Sequence, residues 1–366
     1  MTFALVVVFV LYGLLVLSLY IGWLKAIGKR SSAAEYHSIS IVVPVRNEEF
    51  TIGRLATDLV NKNYPSDKFE IIFVDDHSED STALAIQDAV KSVSNARLIK
   101  SARKGKKAAI TTGVQEAQGQ IIVTTDADCR VSTDWLASIN MCFENDSVKM
   151  LMGGVKIEAN KFLFSKMQSI EFSSLIGSGA ATLAFGVPTM CNGANLAFRK
   201  EVFIEVDGYK GNEAIASGDD EFLLRKVAKR YPNGIRFNNL VESIVSTGPA
   251  KSITQFAAQR LRWAGKWKHH RDLSTKFLGL FIFTVQFSVI LVPFVYYLNL
   301  ASGDMLLTLL FSKAVLEYIF IHRVTRWLGV QWDWPSFILL QVLYPVYAIV
   351  IGFGSLFVSP VWKGRK

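Results

Sequence analysis

The 366-residue chain is poor in cysteine (3), proline (9) and charge (19% of residues). Cys129, Cys142 and Cys191 stand at wide, unpatterned spacing, so they supply neither a disulfide framework nor a zinc knuckle, and they suit a reducing compartment. Scarce proline and 51% hydrophobic residues together exclude a collagenous or disordered chain. No glycine-lysine-serine phosphate loop occurs, no glycine fingerprint follows the first apolar strand, and no zinc-protease motif is present. ATPase, dinucleotide and metalloprotease readings therefore lose their usual support. What the chain does have is apolar sequence at both ends, with a mean hydropathy of +0.28.

From Phe3 to Leu24 there is no charged residue. A helix of about 22 residues rises about 33 Å, enough to cross a hydrocarbon core of about 30 Å, so residues 1–25 read as a membrane span. No basic residue precedes the run and no small-residue cleavage site follows it, which disfavours a cleaved signal peptide. Lys25, Lys29 and Arg30 come next, placing the N-terminus outside and the middle of the chain in the cytosol. A bacterial-type inner (plasma) membrane is the expected location. Within residues 277–360, Phe277 to Leu300 and Phe337 to Val358 read as spans. Met305 to Ile321 is shorter and carries Lys313 and Glu317 on one face, so two or three crossings are expected. Two would leave the Lys363, Arg365 and Lys366 tail inside; three would leave it outside.

Between these regions, Ile253, Phe256, Ala257, Leu261 and Ala264 recur at helical spacing, with Arg260, Arg262, Lys266 and Lys268 around them. This predicts an amphipathic helix over 251–275 lying on the membrane surface. His269 and His270 in the same basic stretch fit headgroups or solvent better than a metal. The net charge of +9 mostly flanks apolar segments and gives no argument for nucleic acid.

Residues 36–248 form the polar middle. Short β-rich runs (Ile39 to Val43, Glu70 to Val74, Arg97 to Ile99, Ile121 to Thr125) alternate with helical stretches (Glu48 to Asn61, Ser81 to Lys91, Lys107 to Ala117). Such alternation predicts an α/β domain with a mostly parallel sheet, whose ligand sits beyond the carboxyl ends of the strands. The first strand runs into Pro44-Val45-Arg46-Asn47-Glu48, the second into Asp75-Asp76-His77-Ser78-Glu79-Asp80, the fourth into Asp126-Ala127-Asp128. Acidic loops gathered at one sheet edge repel one another unless a cation or hydrogen-bonding ligand lies between them. Asp126 and Asp128 can share a hard divalent cation, Mn²⁺ or Mg²⁺, with diphosphate oxygens. An Asp-x-Asp triplet alone is common by chance; its strand context and neighbours give it weight.

Six ordered blocks carry a resemblance. They are Val42 to Glu48, Val74 to Asp80, Gly105-Lys106-Lys107-Ala108-Ala109-Ile110, Asp126 to Asp128, Ser217-Gly218-Asp219-Asp220-Glu221 and Gln259-Arg260-Leu261-Arg262-Trp263. Together they resemble family 2 glycosyltransferases of the GT-A fold. The membrane layout is similar to the branch holding cellulose, hyaluronan and poly-N-acetylglucosamine synthases and ceramide glucosyltransferases. The resemblance implies that Pro44, Arg46, Asn47, Glu48, Asp75 and Asp76 hold the uracil and ribose of a UDP-sugar, with Lys106 nearby and Asp126 and Asp128 on the metal. It implies Asp220 as general base beside Asp219, with Gln259, Arg262 and Trp263 serving the leaving diphosphate and the acceptor. Asn192, Gly193 and Ala194 resemble the acceptor-side loop, although a tight turn before a strand explains them almost as well. Asp80 reads as a helix cap, and an acidic cap at a helix start is the plain alternative for Asp219 and Asp220. Gly177-Ser178-Gly179 suits either a lid or a helix-packing patch.

The expected function is an inverting membrane glycosyltransferase moving a sugar from a UDP-sugar to a lipid or glycan acceptor at the cytosolic membrane face. A homo-oligomer or a membrane partner is compatible with few spans. The alternatives are a processive polysaccharide synthase subunit, a non-catalytic nucleotide-sugar-binding membrane subunit, and a sugar-nucleotide pyrophosphorylase, which would need neither the membrane helices nor the Trp263 motif.

Overall fold

The computed structural model describes residues 2–28, 35–213, 218–266 and 273–357. Lys29, Arg30, Ser217, Lys268, His269, His270, Val358, Lys363, Arg365 and Lys366, all singled out above, lie outside the described residues. In chain order the elements begin α1 (Thr2–Ala26), β1 (Ile39–Val45), α2 (Ile52–Val60), β2 (Phe69–Asp75), α3 (Thr82–Val90), β3 (Ala96–Lys100), α4 (Lys106–Glu116) and β4 (Ile121–Thr124). There follow α5 (Trp135–Phe143), β5 (Met150–Met152), β6 (Val155–Ile157), α6 (Leu163–Leu183), β7 (Leu196–Arg199), α7 (Lys200–Glu205), α8 (Asp219–Arg230), β8 (Ile235–Phe237) and β9 (Val245–Thr247). Four helices close the described chain: α9 (Ile253–Ala264), α10 (Leu273–Tyr297), α11 (Gly303–Leu328) and α12 (Trp334–Phe357).

The chain divides into two compact units. One, Leu24–Glu158 with Thr182–Gly248, contains a seven-stranded sheet in the order β3-β2-β1-β4-β7-β5-β8 and a parallel pair, β6 with β9. Strands β3, β2, β1 and β4 are mutually parallel, β7 runs antiparallel to β4 and β5, and β8 is parallel to β5. The expected α/β sheet is therefore present as a mixed, mostly parallel one. In β1 and β2 nearly every residue is buried, so both faces are covered and the sequence is a continuous apolar run rather than an alternating one. One face packs Val42, Ile72, Val74 and Ile122 against Ile110, Val114, Leu223 and Val227. Each such side chain contributes about 1.5–3 kcal/mol of transfer free energy. From β1 the chain builds outward through β2 and β3, then returns to lay β4 on the other side of β1. That reversal opens a crevice at the carboxyl ends of β1 and β4, where open α/β sheets take their ligands.

The other unit collects α1, most of α6, and α9 to α12. Four of its segments are long and apolar enough to cross a membrane: Thr2–Ala26, Lys276–Tyr297, Gly303–Leu328 and Trp334–Phe357. The third runs well beyond the Met305 to Ile321 stretch expected from sequence, because its charges are absorbed by partners. Lys313 Nζ donates to Glu317 (2.8 Å) and to Gln341 Oε1 on α12 (3.0 Å), and the Tyr12 hydroxyl on α1 donates to Glu317. Ser302 caps the start of α11 through Met305 N–H, and Gly329 ends it in the left-handed conformation, φ 67°. Gly177 lies inside α6, where an added Cβ would come within 2.5 Å of Val324; the Gly177-Ser178-Gly179 stretch is thus a helix-packing patch.

Candidate active site

The loops after β1 and β2 lock onto each other. Val45 pairs with Asp75 in the ladder, and Asp76 N–H donates to Val45 O at 2.8 Å. Beyond the strands, Asn47 adopts φ 50°; its Oδ1 accepts Glu79 N–H (2.9 Å) and its own N–H goes to Ser78 Oγ (3.1 Å). Glu48 N–H donates to Thr82 Oγ1 at 2.7 Å, and Arg46, buried, pairs with Glu79 at 3.5 Å. Asp75 accepts Ser78 N–H (3.0 Å), and Asp80 accepts Thr82 N–H (3.1 Å) at the start of α3. Pro44 stands within β1 opposite Val74. The polar block that sequence reads as a donor-binding edge is thus also a self-bracing pair of loops.

Asp76 is only 1% exposed. Its Oδ1 accepts Gly105 N–H at 2.8 Å. Burial raises its carboxyl above the ordinary range, against the opposing pull of that N–H and of Arg46. Gly105 has φ 113°, a conformation closed to side-chain-bearing residues, and it sets the first residue of α4 in place. That residue is Lys106. Its Nζ lies 2.7 Å from Asp126 Oδ1 and 3.2 Å from Asp219 Oδ2. Burial alone would lower its pKa, but Asp126 and Asp219, with Asp220 contributing, outweigh that and raise it. The cation that the acidic edge requires is supplied, in the protein by itself, by a lysine.

The Asn192 loop reaches the same place. Thr124 Oγ1 at the end of β4 donates to Gly193 O (2.8 Å), Asn192 Oδ1 accepts Ala194 N–H (2.9 Å), and Gly193 N–H donates to Asp220 Oδ2 (3.2 Å). A Cβ at Gly193 would sit 2.9 Å from Asp219 Oδ2 and 3.6 Å from Lys106 Nζ. Asp219 and Asp220 open α8 after Gly218, whose φ is 81°. Asn195, which follows this loop, is a buried hub: its Nδ2 donates to Gly154 O (2.8 Å) and Ser243 O (2.7 Å), and its Oδ1 accepts the Trp135 indole N–H (3.1 Å).

Asp128 accepts Thr247 Oγ1 at 3.3 Å. Burial, followed by the negative charges of Asp126 and Glu48, raises its carboxyl above the usual carboxylate range. Among the described residues no group of three His, Cys, Asp or Glu side chains is arranged to hold a metal ion. The donor set is two aspartates separated by one residue, with Glu48 near enough to influence Asp128. Mg²⁺ and Mn²⁺ suit oxygen ligands, and Mg²⁺ is usually held by one or two carboxylates plus substrate phosphates rather than an all-protein cage. These residues therefore fit a cation that arrives with a diphosphate, and not a standing metal centre.

Lys106, Asp126, Asp219, Asp220 and Gly193 thus come together, with Asp128 and Glu48 adjacent. In the helical unit, Gln259, Arg262 and Trp263 stand on α9, within the stretch expected to form an amphipathic helix on the membrane surface. Ile253 is 75% exposed and Arg260 is the buried residue of the helix. Arg260 forms a two-point ion pair with Glu171 of α6, donates to Gln259 Oε1 (2.9 Å), and lies over the Trp263 ring at 4.3 Å. Glu171 has no sequence motif to announce it.

Residues 40–207 match the family model described as glycosyl transferase family 2. Over that stretch the chain is similar to family 2 glycosyltransferases. Among curated relatives, a beta-monoglucosyldiacylglycerol synthase of Trichormus variabilis is 26% identical over 243 residues, 64% of this chain and 50% of the relative. A poly-beta-1,6-N-acetyl-D-glucosamine synthase of Staphylococcus epidermidis is 26% identical over 189 residues, 51% of this chain and 45% of the relative. The chain spans about half the length of these two relatives. A solved mannosyltransferase from Pyrobaculum calidifontis, in complex with GDP-Man and Mn²⁺, superposes with a TM-score of 0.57 at 17% identity, covering 97% of this chain and 96% of its own. That similarity establishes a shared fold.

Proposed function

We propose that the protein is an inverting membrane glycosyltransferase that transfers a sugar from a UDP-sugar to a hydroxyl of a lipid or glycan, with its catalytic domain in the cytosol. The observation that carries this reading is the convergence of Lys106, Asp126, Asp219 and Asp220 at the carboxyl edge of the sheet. The acceptor hydroxyl oxygen attacks the anomeric carbon while Asp220 takes its proton. The bond from that carbon to the β-phosphate oxygen breaks, UDP departs with the electron pair, and a single displacement inverts the configuration. A Mn²⁺ or Mg²⁺ on Asp126 and Asp128 would neutralise charge on the donor diphosphate. Pro44 to Glu48, Asp75 and Asp76 shape the nucleoside side. Asp76, being buried and bonded to Gly105, contributes by holding Lys106 in register.

Gln259, Arg262 and Trp263 join this reading on motif alone, as the leaving-group and acceptor side. A lipid acceptor is favoured by the four membrane-length helices and by a relative whose name places a sugar on a diacylglycerol. Polymer synthesis is the second reading, supported by the poly-N-acetylglucosamine synthase relative.

The test is transfer in nanodiscs with a panel of UDP- and GDP-sugars, Mn²⁺ and total lipid extract, read by mass spectrometry. A glycolipid of fixed mass is expected; a ladder of masses would establish the polymerase instead. Asp220→Asn is expected to lower turnover by about 10²–10⁴-fold while UDP affinity stays within about threefold. Unchanged turnover would remove Asp220 as the base.

A further inference from the structure

The Lys106 ammonium lies against Asp126, one of the two carboxylates that would receive an incoming divalent cation. It touches carboxylates from two separate elements, Asp126 after β4 and Asp219 at the start of α8, at 2.7 and 3.2 Å. Its side chain is 21% exposed, that of Asp219 11% and that of Asp126 36%, so the Asp219 contact is shielded while Asp126 stays open to an incoming ligand. Its backbone is fixed by Gly105, whose N–H is bonded to Asp76, so the flexible four-carbon stem is what remains free to swing.

We propose that Lys106 is the resident cation of the donor site: it keeps Asp126 and Asp219 neutralised in the empty enzyme and makes uptake of a divalent metal conditional on the donor's diphosphate. This rests on the glycosyltransferase reading above. A metal arriving alone would compete with Lys106 for Asp126, and among the described residues no third carboxylate, histidine or thiolate is arranged with Asp126 and Asp128 to complete a cage around it. The displaced ammonium would also keep only Asp219. A diphosphate removes both obstacles. Its oxygens complete the metal's coordination, and they give Lys106 a new anionic partner in exchange for Asp126. Because linkage is reciprocal, the factor by which UDP tightens metal binding must equal the factor by which metal tightens UDP binding.

The experiment uses the full chain in nanodiscs, with Mn²⁺ alone, UDP alone and both, followed by calorimetry and by the electron paramagnetic resonance signal of free Mn²⁺. In the wild type, UDP is expected to tighten Mn²⁺ binding at least about tenfold, within the usual range of coupling between sites. Lys106→Met and Lys106→Gln are expected to bind Mn²⁺ alone about tenfold tighter than wild type, with the coupling to UDP cut to less than about threefold. Lys106→Arg, which keeps the charge, retains the coupling, and melting curves of all three variants establish that they are folded. The proposal is overturned if the wild type binds Mn²⁺ equally well without UDP. It is also overturned if the neutral variants bind Mn²⁺ no tighter, or bind it tighter with the coupling intact, since the last result means a simple charge effect. Failure of the wild type to bind either UDP or Mn²⁺ removes the donor-site reading as well. Coupled binding that Lys106 variants do not alter removes this inference alone.

Discussion

One methyl group at Gly193 tests how tightly the candidate site is built. The added Cβ would lie 2.9 Å from Asp219 Oδ2, closer than Cβ atoms approach oxygen, while the backbone there is outside the left-handed region and accepts alanine. The strain therefore falls on the carboxylate that holds Lys106, whereas Asp220 Cβ, 3.6 Å away, is in ordinary contact. Gly193→Ala is expected to keep its melting temperature within a few degrees and to lose turnover at saturating donor by about 10–100-fold, the order of effect that a displacement of about 1 Å produces. Initial rates beside a melting curve check this. A variant that melts much earlier would show that Gly193 serves the fold instead.

At the scale of single elements, α9 is tied to α6 by a buried ion pair, Arg260 with Glu171. Arg260 is 3% exposed and Glu171 6%. Removing one member of a buried pair strands the other, at a cost of about 3–5 kcal/mol, whereas replacing both with apolar side chains is often nearly neutral. Glu171→Met and Arg260→Met are each expected to destabilise by that amount and the double variant to recover most of it, read from denaturant midpoints in detergent. Additive losses would show that the two side chains act separately. This is also where sequence legibility ends. The strands could be read because two-sided burial writes itself as runs such as Ile39 to Val43, and Asp126 and Asp128 because they follow such a run. Gly105, Lys106 and Asp219 carry no periodic signal that predicts their meeting, since it depends on how loops after different strands converge. Glu171 and Asn195 are invisible for the same reason: their partners are 89 residues distant at Arg260, and 41 and 48 residues distant at Gly154 and Ser243. The helical period of residues 253–264 was real, but periodicity reports which residues are apolar and not which face a neighbour covers.

At the scale of the whole chain, the first helix and the last two share a polar knot within otherwise apolar segments. Tyr12 of α1 bonds to Glu317 of α11, Lys313 pairs with Glu317 at 2.8 Å, and Gln341 of α12 bridges both, accepting from Lys313 (3.0 Å) and donating to Glu317 (2.8 Å). In a medium without water such groups are costly unless they satisfy one another, so the knot favours one register of the three helices over others. The consequences of removing each member differ. Tyr12→Phe deletes one hydrogen bond and leaves Glu317 still satisfied by Lys313 and Gln341, so a loss of about 1 kcal/mol is expected. Glu317→Ala leaves Lys313 5% exposed with only the Gln341 oxygen as acceptor among these contacts, so a loss of about 3–5 kcal/mol is expected. Lys313→Met combined with Glu317→Met should restore most of it. Unfolding in mixed detergent micelles measures all three, and equal losses for Tyr12→Phe and Glu317→Ala would mean that the tyrosine, rather than the ion pair, ties α1 to the helices near the other end of the chain.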